Sequence, residues 1–258
     1  MPRMLCLAVL SALIGSEIAL AQEKDVTATD SWRSIPLVDD GKIADGWTFA
    51  GYGKFDVVDG ALRAAPDARG LGLLFYDKEK FGNCRIRVVF RTEKPESNSG
   101  VYVRIDDGIR TAKRPAPAER KPDGSLTDAG QKAMEESSAK HLGPWYAVHH
   151  GYEVQICDSA DPSHGTGALY SLARTKPSPP KPGDWRTMII TLDGNQVTVD
   201  LEGQQVTTFD SSSTDLPERR EWYEPEREPQ RPESGYIGLQ THDPGDLVDF
   251  KEVSVQPL

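Results

Sequence analysis

The polar residues best suited to chemistry fall on short alternating segments. In Gly151-Tyr152-Glu153-Val154-Gln155-Ile156, Tyr152, Val154 and Ile156 take one parity, and Glu153 and Gln155 take the other. Alternation aims Glu153 away from an apolar core, where a carboxylate can accept a hydroxyl or remove a proton if its pKa and geometry suit. The plain alternative is a solvated charge on an outer sheet face. Upstream, Tyr102 and Arg104 oppose Val101, Val103 and Ile105 in parity, and Asn98 shares their phase. Arg104 could bond ligand oxygens, stabilise a developing anion or simply pair with Glu153. Tyr102 could stack on a ring or cover the sheet. Gly238, Gln240 and His242 form a third set in phase. Gln240 both donates and accepts hydrogen bonds, and His242 can move protons near neutral pH. Asp158 and His164 could bind a ligand or exchange protons, and they could equally cap turns. His149-His150 resembles a metal motif only superficially, because neighbouring strand residues point apart and no spaced ligand set follows. A calcium loop motif is also missing. The sequence therefore requires no cofactor and leaves a metal open.

These residues need strands to position them. Residues 83–91 alternate cleanly, with Cys84, Ile86, Val88 and Phe90 against Arg85 and Arg87. Further strand candidates fall near 47–49, 55–58, 61–63, 71–76, 101–105, 152–157, 185–192, 196–201, 236–241 and 248–255, and 157–170 supplies a turn and another strand candidate. Asp193-Gly194-Asn195 predicts a hairpin turn longer than the minimal two residues. Many strands without regular intervening helices predict an all-β sandwich whose outward residues line a groove. Two excursions interrupt it. Residues 106–150 contain a basic, proline-rich stretch and a weakly periodic helical candidate at 126–140; this reads as an ordered insertion or lid near a sheet edge. Residues 210–234 read as a charged, solvent-facing loop.

Composition narrows the classes. The chain has 258 residues with a formal net charge of -10, which disfavours a nucleic-acid partner. Arg3, the apolar run to Leu20 and Ala19-Leu20-Ala21 before Gln22 match a secretory leader over 1–21, followed by a polar, flexible 22–31. An exported protein, periplasmic or extracellular, follows as the expectation, with 32–258 as its domain and no membrane span. Export permits but does not require a Cys84–Cys157 disulfide; buried thiols are the alternative. There is no Gly-x-Ser-x-Gly elbow, phosphate loop or nicotinamide-binding unit.

Several ordered blocks resemble one family. Gly46-Trp47, Phe55-Asp56-Val57-Val58-Asp59-Gly60, Gly72-Leu73-Leu74-Phe75-Tyr76 and Asn98-Ser99-Gly100-Val101-Tyr102-Val103-Arg104 are similar to the opening blocks of the 3-keto-disaccharide hydrolase family, also described as 3-keto-glucoside lyase and 3-keto-2-hydroxyglucal hydratase. The 151–156 block, Thr166-Gly167-Ala168-Leu169-Tyr170 and Gly235-Tyr236-Ile237-Gly238-Leu239-Gln240 resemble three more. The resemblance implies a concanavalin A-like jelly-roll sandwich and a 3-keto disaccharide or glucoside substrate, made elsewhere by a sugar 3-oxidoreductase. It implies C2 proton abstraction, elimination at C1 and hydration. Glu153 or His242 is then the candidate base. Arg104, Asn98 and Gln240 would bind hydroxyls or the enolate, with Tyr102 and Gln155 beside them. Asp158 and His164 would protonate the leaving group or position water. The long 106–150 insertion departs from the compact family pattern. A carbohydrate-binding module without turnover, or a structural envelope domain, are the competing classes.

Overall fold

The computed structural model describes residues 31–228 and 230–258. The expected leader and most of the polar lead-in lie outside the described residues. The strands run β1 Arg33–Ile35, β2 Val38–Asp39, β3 Lys42–Ile43, β4 Trp47–Gly51, β5 Lys54–Val58, β6 Ala61–Ala65, β7 Gly72–Phe81, β8 Cys84–Thr92 and β9 Ser99–Ile105. Two helices follow, α1 Asp128–Ala139 and α2 Pro144–His150. The chain then forms β10 Tyr152–Ile156, β11 Arg186–Asp193, β12 Gln196–Leu201, β13 Gln204–Asp210, β14 Gly235–Thr241 and β15 Val248–Pro257.

Two antiparallel sheets face each other. One is ordered β13-β12-β11-β8-β15-β6-β5, with β1 also paired to β15. The other is ordered β10-β9-β14-β7-β4. Their inward residues, including Ile86, Val88, Phe90, Val101, Val103, Val154, Ile156, Ile190 and Phe250, are fully buried in one continuous core. The all-β sandwich expectation holds. The alternation of β8, β10 and β11 places their apolar set inside, because a one-residue slip would turn that set to solvent.

Several local expectations change. The β11–β12 connection is a two-residue loop, because Asp193 pairs with Gln196 and remains strand. Gly194, at φ 53°, occupies its first position, where a left-handed conformation suits a tight hairpin. Residues 166–170 make isolated bridges from Leu169 rather than a strand. Residues 204–210, unassigned by pattern, become β13. His149 and His150 lie on α2, which starts with Pro144 in the first turn, so they are helical neighbours and not strand neighbours. Thr127 caps α1 through its hydroxyl, which accepts from Gly130 N–H.

The insertion lies over the outer face of the five-stranded sheet as well as its β10 edge. Leu73 and Phe75 of β7, Tyr102 and Ile105 of β9 and Tyr236 of β14 pack there against Ile109, Trp145, Ala147 and Val148. This third layer explains why the strands are buried on both faces. Ile105 joins this outer cluster and not the sandwich core, reversing its expected parity. The cause is a bulge: Ile105 pairs with Tyr236 and Tyr102 with Gly238, so β9 carries one more residue than β14 between the pairs. Arg104 takes the strained left-handed φ of 55° at that point.

Cys84 and Cys157 are both buried free thiols. No helix among the described residues is long and apolar enough to cross a membrane.

Candidate active site

A groove of about 410 Å³ opens on the outer face of the five-stranded sheet. Its floor is built by cross-strand pairing. Glu153 stands opposite Tyr102, and Gln155 opposite Gly100, across β10 and β9. Tyr102 in turn faces Gly238 of β14, with Gln240 one same-face position further along. Glu153, Gln155, Tyr102, Gln240, Asn98 and His242 all line the groove.

Glycine makes the arrangement possible. A Cβ on Gly100 would lie 2.4 Å from Glu153 Oε1, so the carboxylate occupies space a side chain would otherwise take. Tyr102 donates its hydroxyl hydrogen to Glu153 Oε2 at 2.6 Å. Gln240 Nε2 donates to the same hydroxyl oxygen at 3.0 Å. The amide thus orients the phenol, and the phenol orients the carboxylate. Burial pushes the Glu153 pKa up to about 7, against the opposing effects of Tyr102, His242 and Gln240. Burial and the neighbouring Glu153 charge hold the Tyr102 phenol well above its ordinary range. Tyr102 therefore acts as a hydrogen-bond donor, and Glu153 is the group that titrates near neutrality.

His242 closes one end. Its Nδ1 lies 3.2 Å from Asp246 Oδ2 and 3.7 Å from Asp243 Oδ2. Burial opposes its protonation, but Asp246, Asp243 and Glu153 together raise its pKa. The partner four residues on is closer than the adjacent Asp243, which Arg120 of the insertion also engages. Three polar atoms in this neighbourhood are buried without a hydrogen-bond partner: Asn98 Oδ1, Gln240 Oε1 and His164 Nε2. Such atoms cost free energy unless a ligand or water satisfies them.

The other expected residues sit elsewhere. Arg104 is 3% exposed, lines a different cavity with Tyr152 and Phe209, and donates to the Gly194 carbonyl at 2.7 Å. The β9 bulge turns it off the Tyr102 face, so the expected Tyr102–Arg104 pairing in one groove is corrected. Asp158 accepts from Arg186 Nη1 through both carboxylate oxygens, at 2.8 and 2.9 Å, and also accepts from the Thr166 hydroxyl. Both charged side chains are sealed, at 1% and 0% exposure, so Asp158 is outside the groove. His164 bonds Asp161 through Nδ1 at 2.7 Å and packs on Tyr170, ring centroids 4.9 Å apart. It adjoins the groove wall through Tyr170.

That wall went unassigned by pattern. Tyr170, Trp145, Trp222, Tyr223, Met134 and Val148 line the groove opposite the polar floor. The one available signal was Trp222-Tyr223, an aromatic pair inside an otherwise charged loop. Trp145 and Trp222 pack at 5.5 Å, tying the insertion to that loop. An aromatic wall facing hydroxyl-binding amides and a neutral-range carboxylate can hold a sugar ring and exchange a proton with it.

A crystal structure of a candidate glycosyl hydrolase from Parabacteroides distasonis is similar at 22% identity and TM-score 0.55, covering 89% of this chain and 100% of that one. A second such protein from the same organism is similar at 17% identity and TM-score 0.53, covering 84% and 91%. Both share the fold. No curated protein matches the sequence. The profile of the 3-keto-alpha-glucoside-1,2-lyase-like domain matches residues 32–256. The chain belongs to this family of carbohydrate-active domains.

Proposed function

We propose that the protein cleaves 3-keto glycosides by elimination and hydration, with Glu153 as the base. The observation that carries this reading is the Glu153 carboxylate, raised to about 7 and aimed into an aromatic-walled groove by Tyr102 and Gln240. A base poised near neutrality suits a carbon acid activated by a neighbouring ketone. Glu153 takes the C2 proton, and the electron pair delocalises onto the C3 oxygen as an enolate. The enolate reforms the ketone as a C1–C2 double bond develops and the C1–O bond breaks. The departing oxygen takes a proton, for which His242, held by Asp246, is the candidate donor. Water then adds, placing hydroxyl at C1 and hydrogen at C2, so the net result is hydrolysis. No paired carboxylates of glycosidase spacing are needed.

Asn98 Oδ1 and Gln240 Oε1, both unpartnered, would accept sugar hydroxyls, and Tyr170, Trp222 and Tyr223 would cover the ring. His164 is a second proton-transfer candidate through its unpartnered Nε2. Arg104 and Asp158 serve the scaffold in this reading. The ketone would be installed by a separate sugar 3-oxidoreductase, and the expected leader would put the reaction outside the cytoplasm.

The test compares a 3-keto disaccharide with its unoxidised parent, following sugar release and deuterium exchange at C2. Release from the keto substrate alone, with exchange abolished in Glu153→Gln, is expected. Folded protein that binds the keto sugar yet neither exchanges C2 hydrogen nor releases sugar would make it a binding module.

A further inference from the structure

Three of the five histidines gather away from the groove floor, where the insertion meets the second excursion. His141 lies in the turn between α1 and α2, His149 lies on α2, and Glu226 comes from the 210–234 segment. One donor atom from each lies within 4.8 Å of the others. We propose that His141, His149 and Glu226 bind a zinc-class divalent cation that clamps the insertion to the excursion carrying Trp222 and Tyr223.

The hydrogen bonds determine which His149 nitrogen holds the lone pair. Ser138 Oγ donates its one hydrogen to the Trp222 carbonyl at 3.0 Å. At 2.9 Å from His149 Nε2 it must therefore accept, so Nε2 carries the hydrogen and Nδ1 is left as the donor nitrogen. That Nδ1 faces the Glu226 backbone N–H at 3.2 Å, a long bond that a metal would displace. His141 Nδ1 and His150 Nε2 lie 2.9 Å apart, so one of the two carries the hydrogen. With that hydrogen on His141 Nδ1, the His141 lone pair sits on Nε2, facing Glu226 Oε2 at 3.5 Å. A lone pair opposed to a carboxylate calls for positive charge between them.

Each imidazole is thus oriented through its other nitrogen, as metal-bound histidines usually are. Two imidazoles and one carboxylate favour zinc-like ions over calcium or magnesium, which prefer oxygen. Tetrahedral zinc places its donors about 3.3 Å apart, given bonds of about 2.0 Å. The His141–Glu226 pair already approaches this. Three protein donors leave a position for water. His141 also adopts φ 50°, a left-handed conformation at the end of α1 where Gly or Asn is favoured; a histidine there costs strain that a ligand role would offset. Arg219 approaches the other carboxylate oxygen, at 3.6 Å from Oε1, and leaves Oε2 to the site.

The consequence concerns the groove. Ser138, His149 and Glu226 bracket Trp222, so a bound cation would hold the aromatic wall in place. The test is independent of turnover. Chelator-treated, untagged protein is titrated with Co²⁺, read by its visible absorption, and Zn²⁺ is then used to displace it. One equivalent of tetrahedral Co²⁺, displaced by Zn²⁺ and accompanied by a change in tryptophan fluorescence, is expected. His141→Asn and Glu226→Gln should each weaken binding by about 10–100-fold or more while circular dichroism stays native. These two half-buried positions avoid the folding risk of replacing the buried His149. No Co²⁺ spectrum, or one unchanged in the double variant, would leave His141–Glu226 as an ion pair and overturn the site.

Discussion

At the residue scale, the decisive feature is one carboxylate kept close to its neutral form. Glu153 sits near 7 because burial outweighs the hydrogen bond from Tyr102 and the charge of His242. If it is the base, kcat/KM on a 3-keto glycoside rises as pH rises through about 7, then falls as His242 loses its proton. The rising limb should vanish in Glu153→Gln. Stability runs oppositely. A folded pKa raised above the ordinary value contributes stability at low pH that is lost as pH climbs through about 7. Glu153→Gln should therefore be more stable than wild type at pH 8, by up to about 3 kcal/mol, with little such gain below pH 4; thermal unfolding at both pH values checks this. Gly100 supplies the second prediction. An alanine Cβ would stand 2.4 Å from Glu153 Oε1 and push the carboxylate aside. Displacement by about 1 Å costs roughly a hundredfold in rate, so Gly100→Ala should lose kcat with substrate binding largely kept.

At the element scale, β9 and the two excursions do most to shape the site. The bulge in β9 puts Tyr102 and Ile105 on the groove side and swings Arg104 to the Gly194 carbonyl. Residues 157–158, just after β10, begin the turn that buries Asp158 on Arg186. Removing one member of a sealed ion pair leaves an uncompensated charge, a loss of about 3–5 kcal/mol. Asp158→Ala should lower the unfolding free energy measured by urea titration by that amount, while the folded fraction keeps its kcat. Loss of kcat with stability intact would instead return Asp158 to proton transfer.

At the scale of the whole molecule, the sandwich presents one sheet face to a third layer, and the groove lies in the seam. Its wall comes from segments far apart in the chain, 126–148, 170 and 222–223. The net charge of -10 is spread over a protein whose proposed substrate is neutral. Electrostatic steering therefore contributes little to encounter. The value of kcat/KM should change by less than about twofold between about 20 and 500 mM salt, as stopped assays at fixed pH would show. A steep salt dependence would indicate a charged substrate.

Much of the floor was legible from alternation alone. Glu153, Gln155, Tyr102 and Gln240 share the outward face because side-chain direction in a strand is a local property with a period of two. The sandwich followed from the same pattern repeated, and the family blocks pointed to the chemistry to look for. What the sequence could not determine was non-local. Arg104 left the groove because β9 holds one residue more than its partner, a matter of pairing between strands. Asp158 was taken by Arg186, 28 positions away. Trp222 and Tyr223 read as loop residues until the excursion folded over the sheet, and His141, His149 and Glu226 met only because two excursions converge. The sequence by itself determined which faces were apolar and which carboxylate stood among polar neighbours. Tertiary structure decided which of those neighbours it met, because register, bulges and loop docking depend on contacts between segments that no local pattern encodes.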